Sequence, residues 1–114
     1  MTRYEPGDVV EVPFPFIDAP DRKLRPALVL TSPSFQQKTG ACVLVMVTSA
    51  ERSRWDNDLV LQDWAEAGLR KASLIRWKVF TLEETLIVRR RGSLSETDRK
   101  KVAQELHQLF PAWL

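Results

Sequence analysis

The stretch Ala41 to Val47 (ACVLVMV), closed by Thr48 and Ser49, decides how the rest of the sequence is read. Seven apolar residues, three of them β-branched valines, show no polar face. A strand buried on both sides gives that pattern, and the run is too short for a core helix. Thr39-Gly40 ahead of it marks a turn.

Upstream, Arg25-Pro26 leads directly into the apolar ALVLT of residues 27–31, a second short strand. Before that, Asp8 to Phe16 (DVVEVPFPF) alternates, with Val10, Val12, Phe14 and Phe16 opposite Val9, Glu11, Pro13 and Pro15. Prolines at every second position remove donors along one side, which places this strand at an edge or makes it leave its sheet early. Ile17 to Leu24 (IDAPDRKL) reads as an exposed loop.

Downstream, Asn57 to Leu61 reads as a short strand and Trp64 to Leu69 as a helical turn closed by Gly68. Ser73 to Leu82 (SLIRWKVFTL) alternates Leu74, Arg76, Lys78 and Phe80 against Ile75, Trp77, Val79 and Thr81. Glu83-Glu84 is read as a turn, Thr85 to Arg90 as a strand, and Gly92 as a break. Ser95 to Asp98 (SETD) has the form of a capping box, with Ser95 as N-cap and Asp98 reaching back. The helix that follows puts Val102, Ala103, Leu106, Leu109 and Phe110 on one stripe, and Pro111 stops it. About six closely spaced strands and one helix predict a mainly β chain, a small closed or partly open barrel with a C-terminal helix.

With 114 residues, 44% apolar and 28% charged, the chain is expected to be a single domain spanning 1–114. One cysteine, Cys42, and one histidine, His107, exclude an internal disulfide, a Cys/His zinc site and a histidine pair. Cys42 is expected in the core and His107 beside the helix stripe in a packing or surface role. Four scattered glycines form no phosphate loop. Asp56 and Asp58 could share a strand face and hold magnesium, but such pairs are usually solvated loop charges. No metal and no cofactor are expected. The N-terminus lacks the apolar core of a signal peptide and no run approaches membrane-spanning length, so the chain is expected in the cytosol.

The net charge of +2 conceals a gradient. Up to Leu69 there are seven Lys/Arg against ten Asp/Glu, a net of −3; from Arg70 on there are ten against five, a net of +5. That asymmetry fits either a polyanion site or solvated surface faces.

Arginine and hydroxyl chemistry remains. Pro26 holds Arg25 in extended backbone, and Thr48 and Ser49 emerge where a buried strand reaches the surface. An arginine and a hydroxyl at strand ends can bind one phosphate and stabilise charge developing on it. The other reading is a surface arginine and a strand-capping threonine. Trp55, next to Arg52 and Arg54, suits base stacking or covers the end of the barrel; Trp77 is read as core.

The ordered set Gly7-Asp8-Val-Val-Glu-Val-Pro-Phe-Pro-Phe-Ile-Asp18, Arg25-Pro-Ala-Leu-Val-Leu30, Val47-Thr48-Ser49, Ala67-Gly68-Leu69, Ser73-Leu-Ile-Arg76 and Gly92-Ser-Leu-Ser95 resembles the MazF/PemK-like toxins of bacterial type II toxin–antitoxin systems, over essentially the whole chain. The resemblance implies an SH3-like barrel of the MazF/CcdB kind. It implies a homodimeric endoribonuclease, an mRNA interferase, that cuts single-stranded RNA without a metal. In that chemistry the 2′-hydroxyl attacks the adjacent phosphate and leaves a 2′,3′-cyclic phosphate and a 5′-hydroxyl. A cognate antitoxin protein is the implied inhibitor, and no membrane is involved.

Residue by residue, Arg25 matches the family's catalytic arginine before proline and Thr48 its catalytic hydroxyl. Arg76 matches an arginine that some members use on the scissile phosphate. Many relatives carry a Gly-Ser-Glu-like stretch before the arginine, whereas here that loop reads Asp18-Ala-Pro-Asp21-Arg-Lys23, with Asp21 as the substitute. The expected substrate-binding set is Asp18, Asp21, Lys23, Ser49, Trp55 and Ser73. Because a guanidinium stays protonated in proteins, Arg25 is read as a clamp rather than a base. The acceptor of the 2′-hydroxyl proton stays open among Asp21, Asp18 and a water. Arg89, Arg90 and Arg91 are open between gripping phosphates, solubility and binding an acidic antitoxin. The alternative function is a non-catalytic binder on the same barrel, such as a CcdB-like gyrase poison.

Overall fold

The computed structural model describes residues 3–13, 23–51 and 55–114. Phe14 to Phe16, Asp18, Asp21 and the Arg52 to Arg54 segment lie outside the described residues. In chain order the elements are β1 (Asp8–Pro13), β2 (Leu24–Val29), α1 (Pro33–Thr39), β3 (Ala41–Ser49), β4 (Leu59–Val60), β5 (Ser73–Glu83), a 3-10 turn (Glu84–Leu86), β6 (Arg89–Ser93) and α2 (Glu96–Leu109). The strands form one sheet in the order β4-β5-β3-β2-β1-β6. All five pairings are antiparallel. The sheet curls into a half-barrel, with the helix α2 against one face.

As its sequence demands, β3 is central and buried on both sides. Val45 and Val47 join Val9, Leu28, Leu61, Ile75 and Val102 in one cluster. Cys42 and Leu44 join Val10, Val12, Ala27, Val29 and Phe80 in the other. A strand with period-2 side chains can serve two apolar clusters only if both faces are covered. Cys42 is fully buried, and loss of hydration pushes its thiol up to about 11.

Trp77 packs partly buried against the first cluster, in line with its reading as core. His107 is exposed. Val102 and Leu106 carry the helix contact with that cluster, whereas Ala103 and Phe110 of the expected stripe are exposed.

Four details differ from the sequence reading. The first is α1: Ser32 accepts from the Phe35 N–H, Pro33 starts the helix, and Gly40 ends it in the left-handed region at φ 72°. Its buried residue is Gln36, whose amide accepts from the Tyr4 N–H at 2.9 Å and donates to the Tyr4 carbonyl. Second, the last strand is not Thr85 to Arg90. Glu84–Leu86 closes as a 3-10 turn and β6 starts at Arg89.

Third, Gly92 lies within β6 instead of breaking it, because a Cβ there would stand 2.6 Å from the backbone of Ala67. Only a hydrogen fits between β6 and the turn at 64–68. Fourth, the capping box is half made. The Asp98 N–H donates to Ser95 Oγ at 3.2 Å, but the Asp98 carboxylate accepts from the backbone of Gln62 and Asp63, at 3.0 and 2.9 Å. Asp98 is fully buried, so its carboxylate ties α2 to the chain leaving β4. Among the described residues no helix is long and apolar enough to cross a membrane.

Candidate active site

The ends of β2, β3 and β5 converge around a cavity of about 920 Å³. Arg25 and Pro26 come from β2, Met46 to Ser49 from β3, and Ser73 and Arg76 from β5; Glu51, Leu69, Arg70, Lys71 and Arg91 complete the wall. Among the described residues of this wall, five cations therefore face a single carboxylate, that of Glu51. Of the residues expected at the site, the fold brings together Arg25, Thr48, Ser49, Ser73 and Arg76. Lys23 is exposed one residue before β2 and does not line the cavity. Trp55 also stands outside it, joined to it through Arg76.

Arg25 is held by strand pairing with Val12, and Pro26 beside it faces Glu11. Its Nε is buried and has no hydrogen-bond partner among the described residues. Leaving a donor of a charged group unpaired costs more than the roughly 1–3 kcal/mol of a neutral one, so this side chain is kept for something other than stability. Thr48 pairs with Leu74 one step before β3 ends, which brings its hydroxyl to the cavity. The other two hydroxyls are engaged: Ser49 Oγ accepts from the Glu51 N–H at 3.2 Å, and Ser73 Oγ donates to the Lys71 carbonyl at 2.8 Å. Both shape the backbone at the cavity rim.

Arg76 is buried and bonds Asp58 with two nitrogens, Nε at 3.2 Å and Nη2 at 2.8 Å. That hydrogen-bonded carboxylate holds the Arg76 guanidinium above its ordinary value, so the residue is a permanent charge in the wall. Asp58 also accepts from the Trp55 N–H at 2.7 Å. It is thus committed to an arginine and a turn, unlike the solvated loop charge the sequence suggested. Among the described residues no three His, Cys, Asp or Glu side chains converge.

The wall residues that sequence reasoning missed are Arg70 and Lys71. Their signal was weak: a basic pair between the Gly68 turn and Ser73. Arg91 reaches the cavity because the β1/β6 register slips between Val9 and Val10, so Gly92 faces Val9 and Arg90 faces Val10. The bulge at Arg91 re-aims its side chain, which donates to the Gly68 carbonyl at 3.0 Å and to Glu11 at 3.1 Å. Glu11 also accepts from Arg89 at 3.1 Å, and Asp8 from Arg90 at 3.1 Å. The acidic first half and the basic second half of the chain therefore neutralise one another across β1 and β6.

A curled antiparallel sheet with a C-terminal helix, carrying an arginine, a hydroxyl and further cations where three strands end, defines a small half-barrel domain with a cationic cavity. A family model described as the PemK-like, MazF-like toxin of type II toxin-antitoxin systems matches residues 5–110, and the chain belongs to that family. Solved structures share its fold. A mycobacterial endoribonuclease in complex with its cognate antitoxin superposes with a TM-score of 0.75 at 13% identity, covering 97% of this chain and 96% of that one. MazF in a MazE–MazF structure from Deinococcus radiodurans gives 0.73 at 19% identity, covering 96% and 97%. A mycobacterial endoribonuclease alone gives 0.72 at 14% identity, covering 100% and 98%. No curated protein sequence matches the chain significantly.

Proposed function

We propose that this toxin-family chain is a sequence-specific endoribonuclease that cleaves single-stranded messenger RNA without a metal ion. The observation that carries the proposal is the buried Arg25 Nε without a partner, in the wall of a cationic cavity beside Thr48. A phosphodiester satisfies that donor, and an RNA backbone supplies one at every nucleotide.

In this reading the 2′-oxygen forms a bond to phosphorus while the bond to the 5′-oxygen breaks. The 2′-hydroxyl proton leaves to a base and the 5′-oxygen gains one. Arg25 clamps the non-bridging oxygens as they gain charge, and the Thr48 hydroxyl donates a second hydrogen bond. A preorganised donor of this kind is worth about 3–4 kcal/mol in the transition state, roughly a thousandfold in rate. Arg76, fixed by Asp58, places a further guanidinium in the same wall, while Ser49 and Ser73 set the rim. Asp18, Asp21 and Lys23, which precede Arg25 in the sequence, are assigned to the substrate.

The endoribonuclease and the Deinococcus MazF were each solved with an antitoxin. By likeness, this chain is a cytoplasmic homodimer inhibited by a cognate antitoxin. Purified protein incubated with a long RNA in EDTA is expected to yield discrete fragments ending in 2′,3′-cyclic phosphate and 5′-hydroxyl. Absence of cleavage both in EDTA and with magnesium would overturn the proposal and favour a non-catalytic binder.

A further inference from the structure

Beside the phosphate groove stands an aromatic that the strand ends do not explain. Trp55 is 49% exposed, yet it is anchored on several sides. Its backbone N–H donates to Asp58, the carboxylate that takes two hydrogen bonds from Arg76. The Arg76 Cζ and the Lys78 Nζ each stand 5.0 Å from the centroid of its ring. Both cations come from β5, where the β3 register passes from Val45 opposite Val79 to Met46 opposite Arg76. Trp77 and Lys78 are the residues skipped, and this bulge lets Arg76 and Lys78 reach one ring.

We propose that Trp55 is a platform on which one unpaired RNA base stacks, and that Asp58 is the positioning residue linking this platform to the phosphate groove through Arg76. The proposal rests on the reading of the groove as an RNA site and deepens it by assigning a base contact. A nucleotide carries its base and its phosphate on one sugar. An aromatic surface within one side chain's reach of the phosphate cations therefore holds a base in register with its own phosphate, and Arg76 supplies that reach.

The cations hold the ring through its electron-rich face, so the surface is ordered before RNA arrives. Stacking suits any base, and positive charge beside it attracts the backbone. Asp58, with its side chain 2% exposed and bonded to both Trp55 and Arg76, sets the distance between base and phosphate.

The test uses an oligoribonucleotide containing the mapped cleavage sequence, made uncleavable by 2′-deoxy substitution at the cut, and a set lacking one base at each position. Wild type is expected to lose roughly 5- to 150-fold in affinity at one abasic position, the range that a stacked base provides. In Trp55→Ala and Trp55→Leu that loss should vanish, and in Trp55→Phe it should largely remain. Asp58→Asn should shrink the same coupling and lower kcat more than it raises KM on cleavable RNA, with partial rescue in Asp58→Glu.

Equal weakening of every oligonucleotide by Trp55→Ala, or no weakening, in protein that still cleaves RNA would overturn the platform while leaving the groove reading intact. An Asp58→Asn protein that is merely less heat-stable, with coupling and kcat unchanged, would overturn the positioning role. A wild type that neither binds nor cuts any RNA would overturn both readings together.

Discussion

Arg25 shows how a single residue carries functional information that stability does not explain. Its neighbours are a proline and an apolar strand, and its Nε is buried without a partner among the described residues. Removing such a side chain takes away a buried donor without a partner, so Arg25→Ala should leave the melting temperature unchanged or slightly raised. RNA cleavage, in contrast, should fall by about 10²–10³ in kcat, the cost of one oriented donor at a developing negative charge. Arg25→Lys retains the charge but loses the planar fork that fits phosphate, and should recover only a small part. Thermal melts and single-turnover cleavage on the same samples separate the two effects. A parallel loss of stability and activity would mean that Arg25 is structural.

At the scale of the element, β1 and β6 show what strand pairing does with charge. Glu11 accepts from Arg89 and Arg91, and the hydrogen bond from Arg89 does most to hold its carboxyl below the ordinary value of 4.5. A carboxyl lowered in the folded state stabilises it above that ordinary value, and the contribution disappears as pH falls through the lower folded value. Urea midpoints measured from pH 7 down to pH 3 should therefore fall more steeply for wild type than for Glu11→Gln. Strand β6 also carries Gly92, where a Cβ would meet Ala67 at 2.6 Å and the Gly68 N at 2.9 Å, all backbone. Gly92→Ala should cost about 1–3 kcal/mol, read as a lower urea midpoint at every pH.

Element by element, legibility followed the apolar pattern. Strands β3 and β5 and helix α2 were readable because their burial is apolar and periodic. The helix α1 was not, because its one buried side chain is the amide of Gln36 and its aromatic, Phe35, is 36% exposed. Its signal was Ser32-Pro33 at one end and Gly40 at the other, a pair of caps without a stripe between them. The strand β6 was misplaced because Arg89-Arg90-Arg91-Gly92 has neither apolar alternation nor β-branched residues; β1 and the bulge form it, not local preference.

Over the whole molecule, the sequence shows how much charge there is but not which charges are left over. The residues that match the toxin family, Arg25, Thr48 and Arg76, were legible by motif, and the fold brings them to one cavity. What the motif could not show is that Arg76 is paired with Asp58, Arg91 with Glu11, and Lys71 with Glu51 at 3.8 Å. Those pairings depend on register and bulges far apart in sequence. Subtracting them from the wall leaves Arg25 and Arg70 as its cations without an ion pair among the described residues.

Arg90 is the opposite case, a residue of the most basic run whose side chain is 55% exposed but bonded to Asp8. Each phosphate neutralised on a single strand contributes a slope of about −0.7 to log K against log salt. Measured with an uncleavable oligoribonucleotide over a salt series, Arg70→Ala should flatten that slope by about 0.7 and weaken binding to all sequences alike. Arg90→Ala, which exposes Asp8 but removes no phosphate contact, should leave the slope unchanged. Equal slopes for wild type and Arg70→Ala would mean that backbone affinity comes from the arginine run on β6, and that net charge, not the unpaired residue, attracts the RNA.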